Sequence, residues 1–446
     1  MASKSVYEDL LRKIERREAK VGIIGLGYVG LPLCFATVDS GLNTLGFDID
    51  PEKPKALSEG RSYLKHIRDE KLVQVNATGK FAATCDFDRL VEPDILLICV
   101  PTPLTKHHKP DLSYLLKAAN QIALRLRPGQ MVVLESTTYP GTTYEVTYPI
   151  LASTGFKEGE DFFIAFSPER EDPGNDLYST STITKIVGAD SVESRILAEA
   201  FYKIFIQTVV TVSNSRTAEM TKILENVFRA VNIALINEMK IISEAMDIDI
   251  WEVVDAAKTK PFGFMPFYPG PGWGGHCIPI DPFYLTWKAK EYDVTTRFIN
   301  LAGEINSIMP YRVVDRLARE LDLRFGKGLV GSKILVLGIA YKKNVDDIRK
   351  SPALKIFEIL EKRFAKIEFY DPFVFKIPVI DEYVDLVGRE SVIWKQGLAG
   401  EYDAVLIVTD HDEVDYADIV NSAKLVVDTR NACRKSGIFS SKIAMA

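Results

Sequence analysis

One cysteine, Cys277, lies in a glycine-rich run, Pro269-Gly-Pro-Gly-Trp-Gly-Gly-His-Cys-Ile-Pro-Ile-Asp-Pro282. Glycines pack poorly as core and bring backbone amides close to a reacting centre, so a thiol here is a candidate nucleophile. The competing reading is a small buried cysteine, the usual state of that residue. Far upstream, Gly25-Leu-Gly-Tyr-Val-Gly30 has the spacing of a dinucleotide fingerprint. Gly25 permits the tight turn, Gly27 lets the backbone approach a pyrophosphate, and Gly30 allows close helix–strand packing. Asp48 ends the next strand, 18 residues after Gly30. A carboxylate there grips the ribose 2′-hydroxyl and favours NAD over NADP, with Asp50 a competitor for the role. A nicotinamide alone points to alcohol–carbonyl exchange. A nicotinamide with a thiol nucleophile points to an enzyme that carries an alcohol through to an acid.

Other residues fit the same chemistry. Lys222 and Asn226 are four apart in a helical pattern and share a face. They read either as a solvated surface or as an ammonium and an amide that stabilise an oxyanion. Ser167-Pro-Glu-Arg-Glu-Asp-Pro-Gly174 follows a strand. It is either a charged turn or a site where Glu169 acts as a base. Cys34, Cys85 and Cys99 sit in helix or strand patterns, where packing explains them. His66, His107, His108, His276 and His411 show neither HxxxH nor HExxH spacing, so no metal is expected.

These groups need a scaffold. Apolar runs alternate with helical patterns, which implies an α/β fold with parallel strands. The expected strands are Lys20–Ile24, Thr44–Phe47, Ile95–Val100, Met131–Glu135 and Phe162–Phe166. Turns such as Val100-Pro-Thr-Pro103 and Ser136-Thr-Thr-Tyr-Pro-Gly141 follow their C-terminal ends, the ligand edge of open α/β sheets. A helix of roughly 45 Å is expected from Ser215 to about Met246, with Ser215 as its N-cap. A second helix is expected from Phe298 to about Leu323. The α/β pattern then restarts at Lys333-Ile-Leu-Val-Leu-Gly-Ile-Ala-Tyr341, with later strands at 366–371, 404–408 and 424–427. This last region has Gly338-Ile-Ala in place of a full fingerprint, so a ligand other than a dinucleotide is expected there. With 446 residues, two or three domains are expected. We place them at 1–212, 213–325 and 326–446.

A formal net charge of −6 argues against nonspecific binding of nucleic acid. No run reaches 18 apolar residues, and Met1–Lys20 lacks the apolar centre of a signal peptide. Five cysteines without CxxC spacing fit a reducing cytoplasm.

Together these residues resemble the UDP-glucose/GDP-mannose dehydrogenase family. The likeness spans nearly the whole chain: GLGYVG, Val100-Pro-Thr-Pro103, Glu135-Ser-Thr-Thr138, Ser167-Pro-Glu169, Lys222 with Asn226, the GGxC loop with Asp281, and Tyr341-Lys-Lys343 with Arg349. Ser167–Asn175, Glu219–Asn226 and Gly274–Pro282 look like members that act on UDP-N-acetylglucosamine in bacterial surface-polysaccharide pathways.

The resemblance implies two Rossmann-like doubly wound domains joined by a long central helix and a helical region that forms a homodimer. It implies NAD, a UDP-sugar substrate, and two NAD+ reduced per sugar. Cys277 would be the nucleophile, with Lys222 and Asn226 stabilising oxyanions. Asp281 would assist proton transfer through a water that Thr137 helps to hold, and Glu169 would serve thioester hydrolysis. Gly25, Gly27, Tyr28, Val29, Gly30, Asp48, Pro101, Thr102, Ser136, Thr137 and Arg349 would meet the cofactor or lie near it. Glu169, Arg170, Lys222, Asn226, Gly274, Lys342 and Arg430 would meet the substrate. One departure bears on the sugar. Members acting on UDP-glucose usually carry lysine before the aspartate that matches Asp281, and this chain has Ile280, in keeping with an N-acetyl sugar.

Two other classes were weighed. A nucleotide-sugar-binding protein without chemistry would lack the thiol, Lys222 or the cofactor glycines, all of which are present. A two-electron dehydrogenase would yield one NADH per sugar instead of two.

Overall fold

The computed structural model describes residues 5–64, 67–105, 109–170, 181–275, 277–380 and 382–446. His66, His107, His108, His276 and residues 171–175 of the Ser167 run lie outside them. Two compact units emerge. Met1–Glu225 with Phe283–Val294 form the first, and Asn226–Pro282 with Thr295–Ala446 form the second.

The first unit is built on eight strands: β1 (Lys20–Ile24), β2 (Asn43–Phe47), β3 (Phe81–Thr84), β4 (Ile95–Ile98), β5 (Gln130–Leu134), β6 (Phe162–Phe166), β7 (Lys185–Gly188) and β8 (Val209–Val212). Their order is β3-β2-β1-β4-β5-β6-β7-β8. All neighbours are parallel except β6 and β7, which meet antiparallel at Phe166–Gly188. Residues of β4, β5 and β6 are buried throughout, as expected of strands covered on both faces. The chain reverses its direction of travel across the sheet between β1 and β4, which opens a crevice at their C-terminal ends. Helix α1 (Gly30–Asp39) starts directly from the glycine turn after β1.

Helix α2 (Ser215–Ala245) runs 31 residues without glycine or proline. Its N-cap is Asn214 and not Ser215, as the sequence suggested. The Asn214 side-chain oxygen accepts from the Thr217 amide at 2.8 Å, while Ser215 Oγ is turned to Asp190 at 2.5 Å. Either residue type can cap, and Asp190, 25 positions upstream, draws the serine away.

The second unit adds α3 (Ile250–Ala257) and α5 (Arg297–Phe325). Between them in sequence, α4 (Asp281–Ala289) follows the cysteine loop. Pro310 sits inside α5. It removes the amide that would bond the Asn306 carbonyl, and Gly272 packs close to that carbonyl. A five-stranded parallel sheet completes the unit: β9 (Lys333–Leu337), β10 (Lys366–Tyr370), β11 (Ala404–Ile407), β12 (Val426–Asp428) and β13 (Ile443–Met445). Its order is β10-β9-β11-β12-β13, and helix α6 (Pro352–Lys362) packs its apolar face into the core beside it. No helix among the described residues is long and apolar enough to cross a membrane.

Candidate active site

The first unit carries a nucleotide cradle. Gly25 has φ of +95°, and a Cβ there would meet the Cys99 carbonyl oxygen at 2.5 Å. A Cβ on Gly30 would lie 1.9 Å from the Gly25 oxygen, so only glycine lets α1 start this close to β1. A Cβ on Gly27 would meet nothing within 4 Å, which leaves the amides at the start of α1 open to an approaching phosphate. Tyr28 and Val29 follow, half-buried. Asp48 stands just beyond β2, 6% exposed. It accepts from the Leu26 amide at 2.9 Å and pairs with Lys53 at 2.9 Å. Asp50 is exposed and caps the next turn through the Glu52 amide. This cradle fits an adenine dinucleotide on its own geometry.

The remaining expected cofactor residues of this unit line the ends of β4 and β5. Ser136 Oγ donates to the Val100 carbonyl at 2.7 Å, tying the two strand ends together. Thr102 Oγ1 donates to the Thr137 carbonyl at 2.7 Å, and Tyr284 donates to the Thr102 carbonyl. Pro101 lies exposed beside them. The loop after β5 is held by Glu219. Its carboxylate accepts from Gly141 N at 2.5 Å and from Thr143 N at 2.8 Å. Burial pushes the Glu219 carboxyl up to about 7, against the pull of those donors.

Glu169 follows β6 and carries a cluster that sequence reading missed. Lys185 lies 3.9 Å from Glu169 and 2.5 Å from Glu135. Glu135 also accepts from the Tyr202 hydroxyl. Glu135 and Tyr202 are fully buried and Lys185 nearly so. Burial alone would lower the Lys185 pKa, but the two carboxylates hold it above the ordinary lysine range. Lys185 is thus a fixed cation behind Glu169. Lys222 donates to the Glu169 carbonyl and is only 7% exposed, which removes the solvated-surface reading. Arg170 pairs with Glu225 at 2.6 Å and donates to the Thr184 carbonyl.

The second unit holds the thiol. All five cysteines of the chain carry thiols, and Cys277 is partly exposed whereas Cys34, Cys99 and Cys433 are buried. Cys85 is exposed. The amides of Ile280 and Asp281 both reach back to the Cys277 carbonyl, at 3.1 and 2.8 Å. That tight turn launches α4 and sets Asp281 one turn from the thiol. Asp281 is 2% exposed, and Asn226 donates to its Oδ2 at 2.5 Å. One N–H of the Asn226 amide is therefore engaged by Asp281, and its oxygen accepts from Arg229. Ile280 is buried.

The glycines of the loop have a clear steric reason. Cβ atoms on Gly274 and Gly275 would meet the Tyr341 side chain at 2.8 and 2.9 Å. Gly275 N also donates to the Arg349 carbonyl at 3.0 Å. Lys342 follows Tyr341 and is half-buried. Arg349 is exposed and paired to Asp347 at 2.6 Å. It belongs to the second unit, unlike the other expected cofactor residues. A Cβ on Gly270 would meet the Arg430 guanidinium at 2.6 Å, so Arg430 packs on the same loop. Arg430 Nε is anchored on the Val408 carbonyl at 2.9 Å.

Known proteins decide the wider question. Models for the NAD-binding, central and UDP-binding domains of the UDP-glucose/GDP-mannose dehydrogenase family match residues 19–206, 216–308 and 335–435. The chain belongs to this family. A UDP-N-acetyl-D-mannosamine dehydrogenase of Pyrococcus horikoshii is 35% identical over 93% of the chain and 96% of that protein. A UDP-N-acetyl-D-glucosamine 6-dehydrogenase of Pseudomonas aeruginosa is 33% identical over 92% of the chain and 94% of that protein. Among solved structures, a UDP-D-ManNAc dehydrogenase from P. horikoshii superposes with a TM-score of 0.85 at 33% identity, covering 96% of this chain and 98% of that one. The UDP-glucose/GDP-mannose dehydrogenase family thus accounts for both sheets: the first belongs to its NAD-binding domain and the second to its UDP-binding domain. The chain is an NAD-dependent nucleotide-sugar dehydrogenase.

Proposed function

We propose that this enzyme oxidises the C6 hydroxyl of UDP-N-acetylglucosamine to the carboxylate, giving UDP-N-acetylglucosaminuronate for surface-polysaccharide synthesis. The observation that carries the covalent part is the turn at Cys277, which sets a partly exposed thiol one turn from the buried Asp281–Asn226 pair. NAD, when bound at the Gly25–Gly30 cradle, accepts a hydride in each of two oxidations. The residues of the chain supply the rest. Lys222 and Asn226 stabilise the oxygen at C6 as it loses its proton, and Asp281 takes that proton through a water that Thr137 helps to hold. Cys277 sulfur bonds to C6 of the aldehyde and leaves an oxyanion on the same two donors. After the second oxidation the carbon is a thioester. Glu169 takes a proton from the attacking water, and the C–S bond breaks to release the acid and restore the thiol. The Lys185 ammonium lies 3.9 Å from that carboxylate.

Lys342 and Arg430 are assigned to the UDP moiety, with Arg170 and Gly274 at the sugar. The substrate choice rests on Ile280, which stands where relatives acting on UDP-glucose carry lysine. A second reading, the C2 epimer UDP-N-acetylmannosamine, is favoured by the relative at 35% identity. The galactosamine epimer and UDP-glucose differ at C4 and C2 in ways that pocket shape reads. We also propose a homodimer, supported by the exposed side chains of Phe228, Leu235, Met239 and Ile242 along α2. The division at 1–212, 213–325 and 326–446 is proposed with it.

The test is NADH formation with each UDP-sugar. Two NADH per UDP-N-acetylglucosamine, with that sugar preferred, is expected, and a clear preference for another sugar sinks the assignment. Cys277→Ser should bind UDP-sugar and NAD yet lose acid formation by roughly a thousandfold or more, because an alcohol is a far poorer nucleophile at neutral pH. Normal turnover of that variant rejects the covalent route.

A further inference from the structure

A second cationic site lies in the second unit, outside the residues assigned above. Lys240 on α2 is 6% exposed. Among the described residues, no hydrogen bond or ion pair holds its ammonium, and its one close partner is the Trp251 ring, 5.8 Å away. Lys240 lines a cavity of about 440 Å³ together with Arg312, Arg316 and Arg319. The three arginines fall at i, i+4 and i+7 on α5, so they share one helix face. The side-chain carboxylates at the cavity are already engaged, and Ala446, the last residue, also lines it. Glu244 pairs with Arg316 at 2.6 Å, and Asp315 pairs with Arg363 at 2.6 Å. Arg316 Nε is a further buried donor without an acceptor. Lys240, Arg312 and Arg319 thus have no carboxylate of their own among the described residues.

Burial lowers the Lys240 pKa to about 8. Arg316 and Arg430 push the same way, and Glu244 and Asp428 oppose them. A buried ammonium with no partner is costly, and an anion at the cavity would offset that cost. Guanidinium forks match the oxygens of a phosphate, and an ammonium adds a point charge beside them. The volume exceeds what a bare phosphate fills. Ile241, Ile308 and Met309 on the wall leave apolar surface for an organic group.

We infer that this cavity binds a phosphate dianion, either free or as the ester of a small organic molecule, at a site separate from the proposed UDP-sugar contacts. The site needs neither the sugar assignment nor the cysteine chemistry to be correct.

Calorimetric titration of the full chain, without NAD or UDP-sugar, tests it. Inorganic phosphate and phenyl phosphate are the probes. Both should bind, with phenyl phosphate tighter if the site takes an ester and equal if it takes the free ion. Lys240→Met should weaken binding by at least about tenfold, as expected for loss of a charged hydrogen bond, while Lys342→Ala should keep it. Absence of binding to the wild type overturns the inference. So does loss in Lys342→Ala, which would assign the phosphate to the UDP-sugar site. If Lys240→Met does not fold, the exposed pair Arg312→Ala with Arg319→Ala carries the test, and unchanged phosphate affinity there overturns the inference.

Discussion

The two sheets begin their ligand turns in the same way and finish them differently. In each, the first strand lies inside the sheet, β1 between β2 and β4 and β9 between β10 and β11, and a glycine with positive φ ends it: Gly25 at +95° and Gly338 at +76°. In each, an aspartate after the neighbouring strand grips the turn. Asp48 accepts from Leu26 N, and Asp371 accepts from Ile339 N and Ala340 N at 2.7 and 3.1 Å. Two residues past the first glycine they part. Gly27 faces open space. Ala340 is buried, and its carbonyl accepts from Thr409 Oγ1 at 2.6 Å. His411 closes the second turn further, its Nε2 3.2 Å from Asp371 with both side chains fully buried. One topology therefore gives an open phosphate cradle in one place and a filled structural turn in the other. Strand order predicts where a ligand can sit, and the residue two past the glycine decides whether a phosphate can approach the backbone of the turn.

The sharpest way to break this contrast is Gly30→Ala. Its Cβ would meet backbone at 1.9 Å, so the β1–α1 junction must open. NAD affinity should fall by roughly a hundredfold, and stability should drop by a few kcal/mol. Calorimetric binding and a melting curve measure both, and wild-type NAD affinity would show that the close approach is dispensable.

Asp371→Ala probes the filled turn. It strips four amides and an imidazole of their acceptor, so a loss of about 2–4 kcal/mol is expected in denaturant unfolding, with the KM for NAD unchanged. A raised KM would mean that the two turns are not functionally separate. The pair also has a pH signature. Burial would raise the Asp371 carboxyl, but His411 and the backbone amides hold it below its ordinary value. Its contribution is then present above the unfolded carboxylate range, about 3.9, and is lost as pH falls through the lowered folded value. The Asp371→Ala variant should lose this part of the acid limb.

The mildest change is Gly27→Ala. Nothing stands within 4 Å of the new methyl, so the melting temperature should hold while the KM for NAD rises by roughly tenfold. Equal KM values would show that the cofactor does not approach the backbone at Gly27.

The long apolar runs made nine strands and both long helices legible, because buried parallel strands and glycine-free helices leave continuous patterns. Phe81–Thr84 was missed because it is a four-residue edge strand that is largely unburied. Val209–Val212 was missed for the same reason. The nucleotide cradle was legible because its signals are local. The cluster behind Glu169 was not. Lys185 and Glu135 are 50 positions apart, and nothing in a lone lysine or glutamate announces a partner at that distance. Lys222 was misjudged as a possible surface residue because helical periodicity alone cannot tell a buried ammonium from a solvated one.

Tyr341 packs its Cβ on Gly274 and its ring on Gly275, in the loop that holds Cys277, and Lys342 is the next residue along. The proposed nucleophile and a proposed nucleotide contact are thereby mortised into one block. Engineering that sets out to swap the sugar or tune its grip through Tyr341 would also shift the thiol. Affinity and reactivity would have to be selected together, and libraries that vary Tyr341 and Gly275 jointly should find solutions that either position alone does not.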